Sequence, residues 1–251
     1  MNILHISGAT SWGGNEQQLV DTIFGLDKLN VSSFIFCYEN SPLNSYASKH
    51  NLNKVTTSIK SNLSFRKAKL LKRCIIDLKI DLVHLHTSDS VTTFVISDLL
   101  ANLSIPAVFS KKGISSTKKG LSAYKYNYKN ILKTICVSKA VLDSFKKTLK
   151  PENHHKLVVV YDGIKTERAK IINTFNIRDK YNISNDVTII GNIANHTRAK
   201  DLVTFVKTVN HLVNTLNIKN ICFVQIGKEG KYSENFIPLI KAYKLEKYIK
   251  Y

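Results

Sequence analysis

The sequence predicts an α/β fold made of parallel sheets. Three features carry that prediction. Short apolar runs alternate with segments of helical spacing, the rhythm of right-handed βαβ units. The runs are continuously apolar rather than alternating, as expected of strands covered on both faces. The first run leads through a glycine-bearing loop into a helix, an arrangement that directs backbone N–H groups and a helix N-terminus at an anion. At 251 residues the chain holds one large domain or two small ones.

In order, Asn2 to Ser7 is a buried strand and Gly8 to Asn15 its loop, with glycines at Gly8, Gly13 and Gly14. Glu16 opens a helix whose apolar face is Leu19, Val20, Ile23, Phe24 and Leu26. Val31 to Tyr38 is a second strand, broken by Asn40-Ser41-Pro42, with a short helix over 43–50 and a short strand at Val55 to Thr57. Phe65 to Leu78 predicts an amphipathic helix with a cationic face. Asp81 to His86 is a core strand, Val91 to Leu103 an apolar helix, and Pro106 to Ser110 a strand ending at Lys111-Lys112-Gly113. After a polar loop over 114–123, a helix is expected over 124–132, a strand over 134–138, and a helix over 139–149 capped by Ser138. Leu157 to Tyr161 is a β-branched strand stopped by Asp162-Gly163. The texture then turns polar. Residues 165–186 read as a linker carrying a helix or two, with no clean period before 175–181. A new strand follows at 187–194, then a helix over 199–216, a strand over 221–227 and a helix over 237–245. The natural division is a first α/β domain over 1–164 and the start of a second over 187–251, which supplies only two strand–helix units. Two such units are short for a domain, so the second is expected to be incomplete.

Composition narrows the function. No apolar run reaches the roughly 18–20 residues of a membrane span, and the N-terminus enters a strand pattern rather than a signal peptide. Cys37, Cys74, Cys136 and Cys222 are widely separated in apolar contexts and form no CxxC pair, which favours buried thiols in a reducing cytoplasm. The formal net charge is +19. Residues 54–79 carry eight basic side chains against Asp77, and residues 111–150 carry eleven against Asp143, so two stretches hold +17 of the excess. That field favours an anionic partner, such as a phosphorylated glycolipid or an anionic membrane surface. Nucleic acid is disfavoured, because no recognition-helix pattern or aromatic-rich RNA-binding strand accompanies the charge. The lysines are expected on one face of the first domain.

Three stretches are candidate sites. The loop with Gly8, Gly13 and Gly14 lacks GxGxxG, so an anion-binding loop and a plain tight turn both remain open. His84 and His86 lie two apart on a strand and share a face. A metal pair is one reading; a buried, hydrogen-bonded His84 with a cleft-facing His86 is preferred. Asn195 to Lys200 sets Arg198 and Lys200 beside a helix start, either a phosphate site or a solvated helix end.

Taken together, these stretches resemble the family 4 retaining glycosyltransferases of the GT-B fold. Asn2 to Ile6 with Gly13-Gly14-Asn15-Glu16 resembles the family's opening strand and GG-x-E loop, and Asp81 to His86 its D-[IV]-[VI]-H-x-H strand. Pro106 to Phe109, Cys136-Val137-Ser138, Val159 to Ile164, and Gly191 to Ala194 with Lys200 follow in the family's order. The resemblance implies two Rossmann-like domains facing a cleft, the second holding a nucleotide-diphosphate sugar and the first the acceptor. Transfer retains the anomeric configuration. Cations and glycine N–H groups oppose the charge on the departing diphosphate, so no metal and no cofactor beyond the donor substrate is needed.

Residue by residue, the resemblance implies that Gly13, Gly14, Asn195, Arg198 and Lys200 bind the donor diphosphate. His86 and Lys112 are the catalytic candidates, Lys112 standing where the family often has His. Asn15, Glu16, Lys111, Lys118 and Lys119 fall to the acceptor side. The family's Glu-x7-Glu stretch, which holds the sugar and ribose, would lie beyond residue 251, so a C-terminally truncated member is expected. The leading expectation is a glycosyltransferase acting on an anionic glycolipid or polysaccharide, such as lipopolysaccharide core, in the cytoplasm and peripherally at the inner membrane face. The alternative is a truncated, inactive chain that only binds an anionic glycolipid or membrane.

Overall fold

The structure is a computed structural model that describes all residues except 115–118, 165, 167–169 and 171–173. The chain divides into two compact units, Met1–Ile164 and Lys165–Tyr251. In the first, β1 (Asn2–Ile6), β2 (Ser32–Tyr38), β3 (Lys54–Thr57), β4 (Leu82–Leu85), β5 (Ala107–Lys111), β6 (Ile131–Cys136) and β7 (Leu157–Val159) form one sheet in the order β3-β2-β1-β4-β5-β6-β7. Every described pairing is parallel. The order reverses between β1 and β4. Such a switch point opens a crevice at the C-terminal ends of the strands, where ligands bind in open α/β sheets.

The helices of this unit are α1 (Gly14–Asp27), α2 (Pro42–Lys49), α3 (Phe65–Asp77), α4 (Ser88–Ala101), the single turn α5 (Leu121–Tyr124) and α6 (Lys139–Lys146). Their starts are set locally. Ser41, Ser64 and Ser138 each accept the backbone N–H three residues on, and Thr87 and Ser90 form a reciprocal capping box at α4. α1 differs: Gly13 precedes it in extended conformation with no side-chain cap, which leaves its first N–H groups open. The core runs through both faces of the sheet, with Leu4, Val83, Leu85, Phe94 and Ala107 fully enclosed. All four cysteines are free and buried.

The second unit has α7 (Ile177–Tyr181), β8 (Thr188–Ile193), α8 (Leu202–Asn210), β9 (Ile221–Ile226), α9 (Ser233–Ala242) and β10 (Ile249–Lys250). Its sheet is parallel in the order β10-β9-β8. Its own core is built on Leu202, Val206, Phe223, Phe236 and Ile240.

Several boundaries differ from expectation. The helix expected over 124–132 is instead α5, a 3-10 turn at Lys125–Asn127, and then β6, which begins at Ile131. Ala107 N–H donates to the Asn130 carbonyl at 2.8 Å, so sheet pairing takes a stretch whose Tyr, Asn and Ile residues are middling helix formers. The helix expected from Ala199 begins at Leu202, after a 3-10 turn at Arg198–Lys200. Its last stretch, His211–Thr215, is π-helical. α9 starts four residues early, at Ser233, and β10 was not anticipated. No helix among the described residues is long and apolar enough to cross a membrane.

Candidate active site

In the first unit, the loop after β1 and the loop after β4 meet at the switch point. Gly8 N–H donates to Thr87 Oγ1 at 3.2 Å. A Cβ at Gly8 would lie 2.2 Å from Asp89 Oδ2 and 3.0 Å from Asp89 Cβ, so the position admits no side chain while Asp89 stays in place. Asp89 accepts from Asn62 Nδ2 at 2.8 Å and from the Tyr38 hydroxyl at 3.3 Å. Lys67 is buried beneath them, its Nζ donating to Asn62 Oδ1 at 3.0 Å. Burial lowers the Lys67 pKa, and the Asp89 carboxylate works against that shift. Burial and then Asp89 push the Tyr38 hydroxyl up. Sequence reasoning missed this Tyr38–Asn62–Lys67–Asp89 network. Its only signal was an acidic residue just past the His-x-His strand.

The expected loop residues gather at the same edge. Gly13 and Gly14 lie at the uncapped start of α1, and both have room for a side chain. Asn15 Nδ2 donates to the His86 carbonyl at 2.9 Å, tying the loop to the end of β4. The Glu16 carboxylate is buried, and burial raises its pKa against the hydrogen bonds it receives from its own backbone, Asn15 and Gly13.

His86 is not cleft-facing. It is buried and packed with His84 and His5, the last contributed by β1 in register with β4. His5 Nδ1 and His86 Nε2 are 3.0 Å apart, His5 Nε2 is 3.3 Å from Ser33 Oγ, and His84 Nε2 is 2.8 Å from Ser110 Oγ. His84 is thus buried and hydrogen-bonded, as expected. Burial, then the neighbouring His84, lowers His5 to about 3, and burial, then Lys112, lowers His84 to about 4. Burial, followed by His84, His5 and Lys112, holds His86 well below its ordinary value. All three rings are therefore neutral at pH 7. One nitrogen from each lies within 4.8 Å of the others, close enough to share an ion. Two buried side-chain atoms among the described residues lack partners, His86 Nδ1 and Asn15 Oδ1.

Lys112 pairs with Asp162, joining the loop after β5 to the segment after β7. Lys111 turns away, donating to the Gly113 carbonyl and lying over the Phe145 ring. Lys119 is exposed, and Lys118 lies outside the described residues. The lysine-rich stretches do not share one face. Lys54 opens β3 at the N-terminal edge of the sheet, Lys111 closes β5 at the C-terminal edge, Lys146 ends α6, and Lys67 is buried. The expected single cationic face is corrected accordingly, and with it the inference of an anionic acceptor from the whole +17.

In the second unit, Asn195, Arg198 and Lys200 are exposed at the C-terminal end of β8, just ahead of α8. Asp201, in left-handed conformation, caps α8 through Thr204 N–H at 3.4 Å. Asn195 Oδ1 accepts from Lys228 N–H at 3.0 Å, and His196 Nδ1 meets Ser233 Oγ at 2.8 Å. At Gly227 a Cβ would sit 2.0 Å from the Ala194 carbonyl oxygen, so this glycine is what lets the ends of β8 and β9 pack.

Residues 12–168 match the model of the family described as Glycosyltransferase Family 4. Comparison with curated proteins finds no match. Among solved structures, Anabaena HepE in complex with UDP-glucose superposes with TM-score 0.77 at 15% identity, over 100% of this chain and 68% of that one. A glycosyltransferase from Rickettsia africae gives TM-score 0.77 at 18% identity, over 99% and 67%. The lipopolysaccharide outer core galactosyltransferase WaaB, in its apo form, gives TM-score 0.61 at 15% identity, over 99% and 67%. The shared fold is of the GT-B type.

Proposed function

We propose a function from one premise, that this chain belongs to glycosyltransferase family 4: the transferase moves a sugar from a nucleotide-diphosphate sugar to an anionic envelope glycan or glycolipid, with retention at the anomeric carbon. The observation that carries this reading is the assembly of the Gly8–Glu16 loop, His86 and Lys112 around the switch point between β1 and β4. HepE, similar over the whole chain, binds UDP-glucose, which supports a uridine diphosphate donor. WaaB, a lipopolysaccharide galactosyltransferase, supports an acceptor of that class.

The chemistry is electrostatic. Negative charge builds on the diphosphate as it leaves, and preorganised donors offset it. In the second unit, Arg198 and Lys200 with Asn195 supply cations and an amide at the start of α8. Separately, within the first unit, Gly13 and Gly14 leave the N–H groups at the start of α1 open, an arrangement that favours an anion. Lys112 adds positive charge beside the buried, neutral His cluster, in which His86 acts as a positioning residue whose backbone carbonyl holds Asn15. Asn15, Glu16, Lys111, Lys118 and Lys119 belong to the acceptor side. This scheme uses no metal and no cofactor other than the donor. Transfer takes place on the cytoplasmic side of an anionic membrane.

Isothermal calorimetry of the 251-residue chain with UDP and UDP-glucose, with EDTA present, tests the reading. Binding is expected without divalent metal. Lys200→Ala, at an exposed position, is expected to weaken it by roughly tenfold to a hundredfold, the range for a lost charge-assisted hydrogen bond. Absence of binding to any nucleotide sugar would overturn the reading.

A further inference from the structure

We propose that His5, His84 and His86 form a structural binding site for a divalent transition-metal ion of the zinc class. The site stands apart from the transferase chemistry above: its ion clamps two strands and takes no part in holding the diphosphate.

The placement follows from strand register. β1 pairs with β4 so that His5 lies opposite His84, and a side-chain period of two puts His84 and His86 on one face of β4. Leu4, Ile6, Val83 and Leu85 fill the core on the side of α3 and α4, so the three imidazoles take the other face. There the rings pack together. The His5 centroid is 5.3 Å from each of its partners, and those of His84 and His86 are 4.0 Å apart. Three polar rings buried where such strands ordinarily carry valine or isoleucine cost free energy unless their nitrogens are satisfied.

Hydrogen bonding satisfies them incompletely. Ser33 on β2 lies 3.3 Å from His5 Nε2, and Ser110 on β5 lies 2.8 Å from His84 Nε2. In the tautomer where His5 Nε2 donates to Ser33, His5 Nδ1 accepts from His86 Nε2 at 3.0 Å. The lone pair of His86 Nδ1 is then left buried without a partner. An orphaned polar atom of this kind calls for a reason, and a cation shared by the rings supplies one.

One nitrogen from each ring lies within 4.8 Å of the others. Ligands at the roughly 2.0–2.1 Å of a zinc–nitrogen bond stand about 3.4 Å apart in a tetrahedron, so ring shifts of about an ångström close the site. The two serines then act as the outer partners that fix the tautomer and aim of a ligating imidazole. The donor set selects the metal, since neutral imidazole suits zinc, copper and nickel, whereas magnesium and calcium take oxygen. Three protein ligands leave a fourth position for water. Among the described residues no other group of three His, Cys, Asp or Glu side chains converges in this way. The bound ion ties β1 to β4 at the switch point and steadies the His86 carbonyl that holds Asn15.

Equilibrium dialysis of the untagged full chain, stripped with EDTA and then freed of chelator, tests the proposal with zinc chloride and magnesium chloride as probes. One zinc per chain is expected, and no magnesium. Cobalt(II) is expected to give the intense visible absorption of a tetrahedral site. His5→Gln and His84→Asn are each expected to weaken zinc binding at least about a hundredfold, and Ser110→Ala, which keeps all three ligands, by roughly tenfold to a hundredfold. His154→Asn with His155→Asn, outside the cluster, is expected to change it less than about threefold. Circular dichroism confirms that each variant folds; should a ligand variant fail to fold, Ser110→Ala and the cobalt spectrum decide. Absence of zinc binding by the wild type overturns the proposal. So does an octahedral cobalt spectrum, full affinity in Ser110→Ala, or loss of binding in the His154, His155 variant, which would mark an adventitious surface site. Each of these results leaves the donor-binding test, run in EDTA, standing independently.

Discussion

Gly8→Ala offers a direct test of how the site is built. Gly8 does not have positive φ, so alanine suits its backbone. In an open position the change would stabilise the fold by about 0.4–1 kcal/mol through the unfolded state. Here the new methyl would lie 2.2 Å from Asp89 Oδ2, 2.9 Å from Cγ and 3.0 Å from Cβ. Rotating the Asp89 carboxylate relieves the first two contacts but not the third, so the backbone must also give. Displacing Asp89 removes the hydrogen bonds from Asn62 and Tyr38 and the charge that partly compensates buried Lys67. Overpacking costs about 1–3 kcal/mol, and bonds to a charged acceptor add to it, so Gly8→Ala is expected to destabilise by roughly 3 kcal/mol. Asp89→Ala alone is expected to cost roughly 2 kcal/mol for the lost bonds. The double variant removes the clash and regains the alanine benefit, so it should be no less stable than Asp89→Ala. Urea unfolding followed by circular dichroism measures all four corners of the cycle. A Gly8→Ala variant within 0.5 kcal/mol of wild type, or additive single effects, would refute the packing argument.

Gly227→Ala meets backbone rather than a side chain, the Ala194 carbonyl oxygen at 2.0 Å, so no rotamer change relieves it. It is expected to cost about 3 kcal/mol or more and to speed proteolysis within 165–251 while sparing 1–164. The His cluster predicts a pH dependence of stability. His5 and His84 fall to about 3 and about 4 when folded, against 6.5 when unfolded. The unfolded chain therefore takes up protons that the folded chain refuses, and stability is full above pH 6.5 and lost as pH falls toward 4. At up to about 1.4 kcal/mol per pH unit for each group, unfolding free energies from urea titrations at pH 7 and pH 5 should differ by roughly 4 kcal/mol for the two together. A His5→Gln, His84→Asn variant should flatten that difference. Lys112→Ala loses only a partly exposed ion pair with Asp162, worth about 1 kcal/mol or less. Sugar transfer should nonetheless fall by roughly a hundredfold; unchanged transfer would remove Lys112 from the catalytic set.

What could be read from the chain, and what could not, divides by the distance over which the physics acts. β1 and β4 are legible because a strand buried on both faces must be apolar throughout, and the helix at Lys139 because Ser138 announces its own cap. The stretch at 124–132 misleads because its fate is decided by β5, whose open edge pairs with Ile131 and outweighs a weak helical preference. The site is legible in outline for the same reason. Motifs at the ends of strands mark the crevice, yet the partners that shape it are remote in sequence. His86 reads as cleft-facing until β1 sets His5 opposite His84 and Asn15 folds onto the His86 carbonyl. The glycines make the point most sharply. Gly13-Gly14 attracts attention as a motif, but both positions have room for a side chain, so their glycines serve the open helix start rather than tight packing. Gly8 stands outside the Gly13-Gly14 pair and Gly227 sits in no recognisable pattern, yet each holds a space that a single methyl would close, against Asp89 eighty-one positions away and against the Ala194 backbone. A motif marks where backbone N–H groups are needed. It does not mark where two loops must touch, and at this site the touching loops set the geometry.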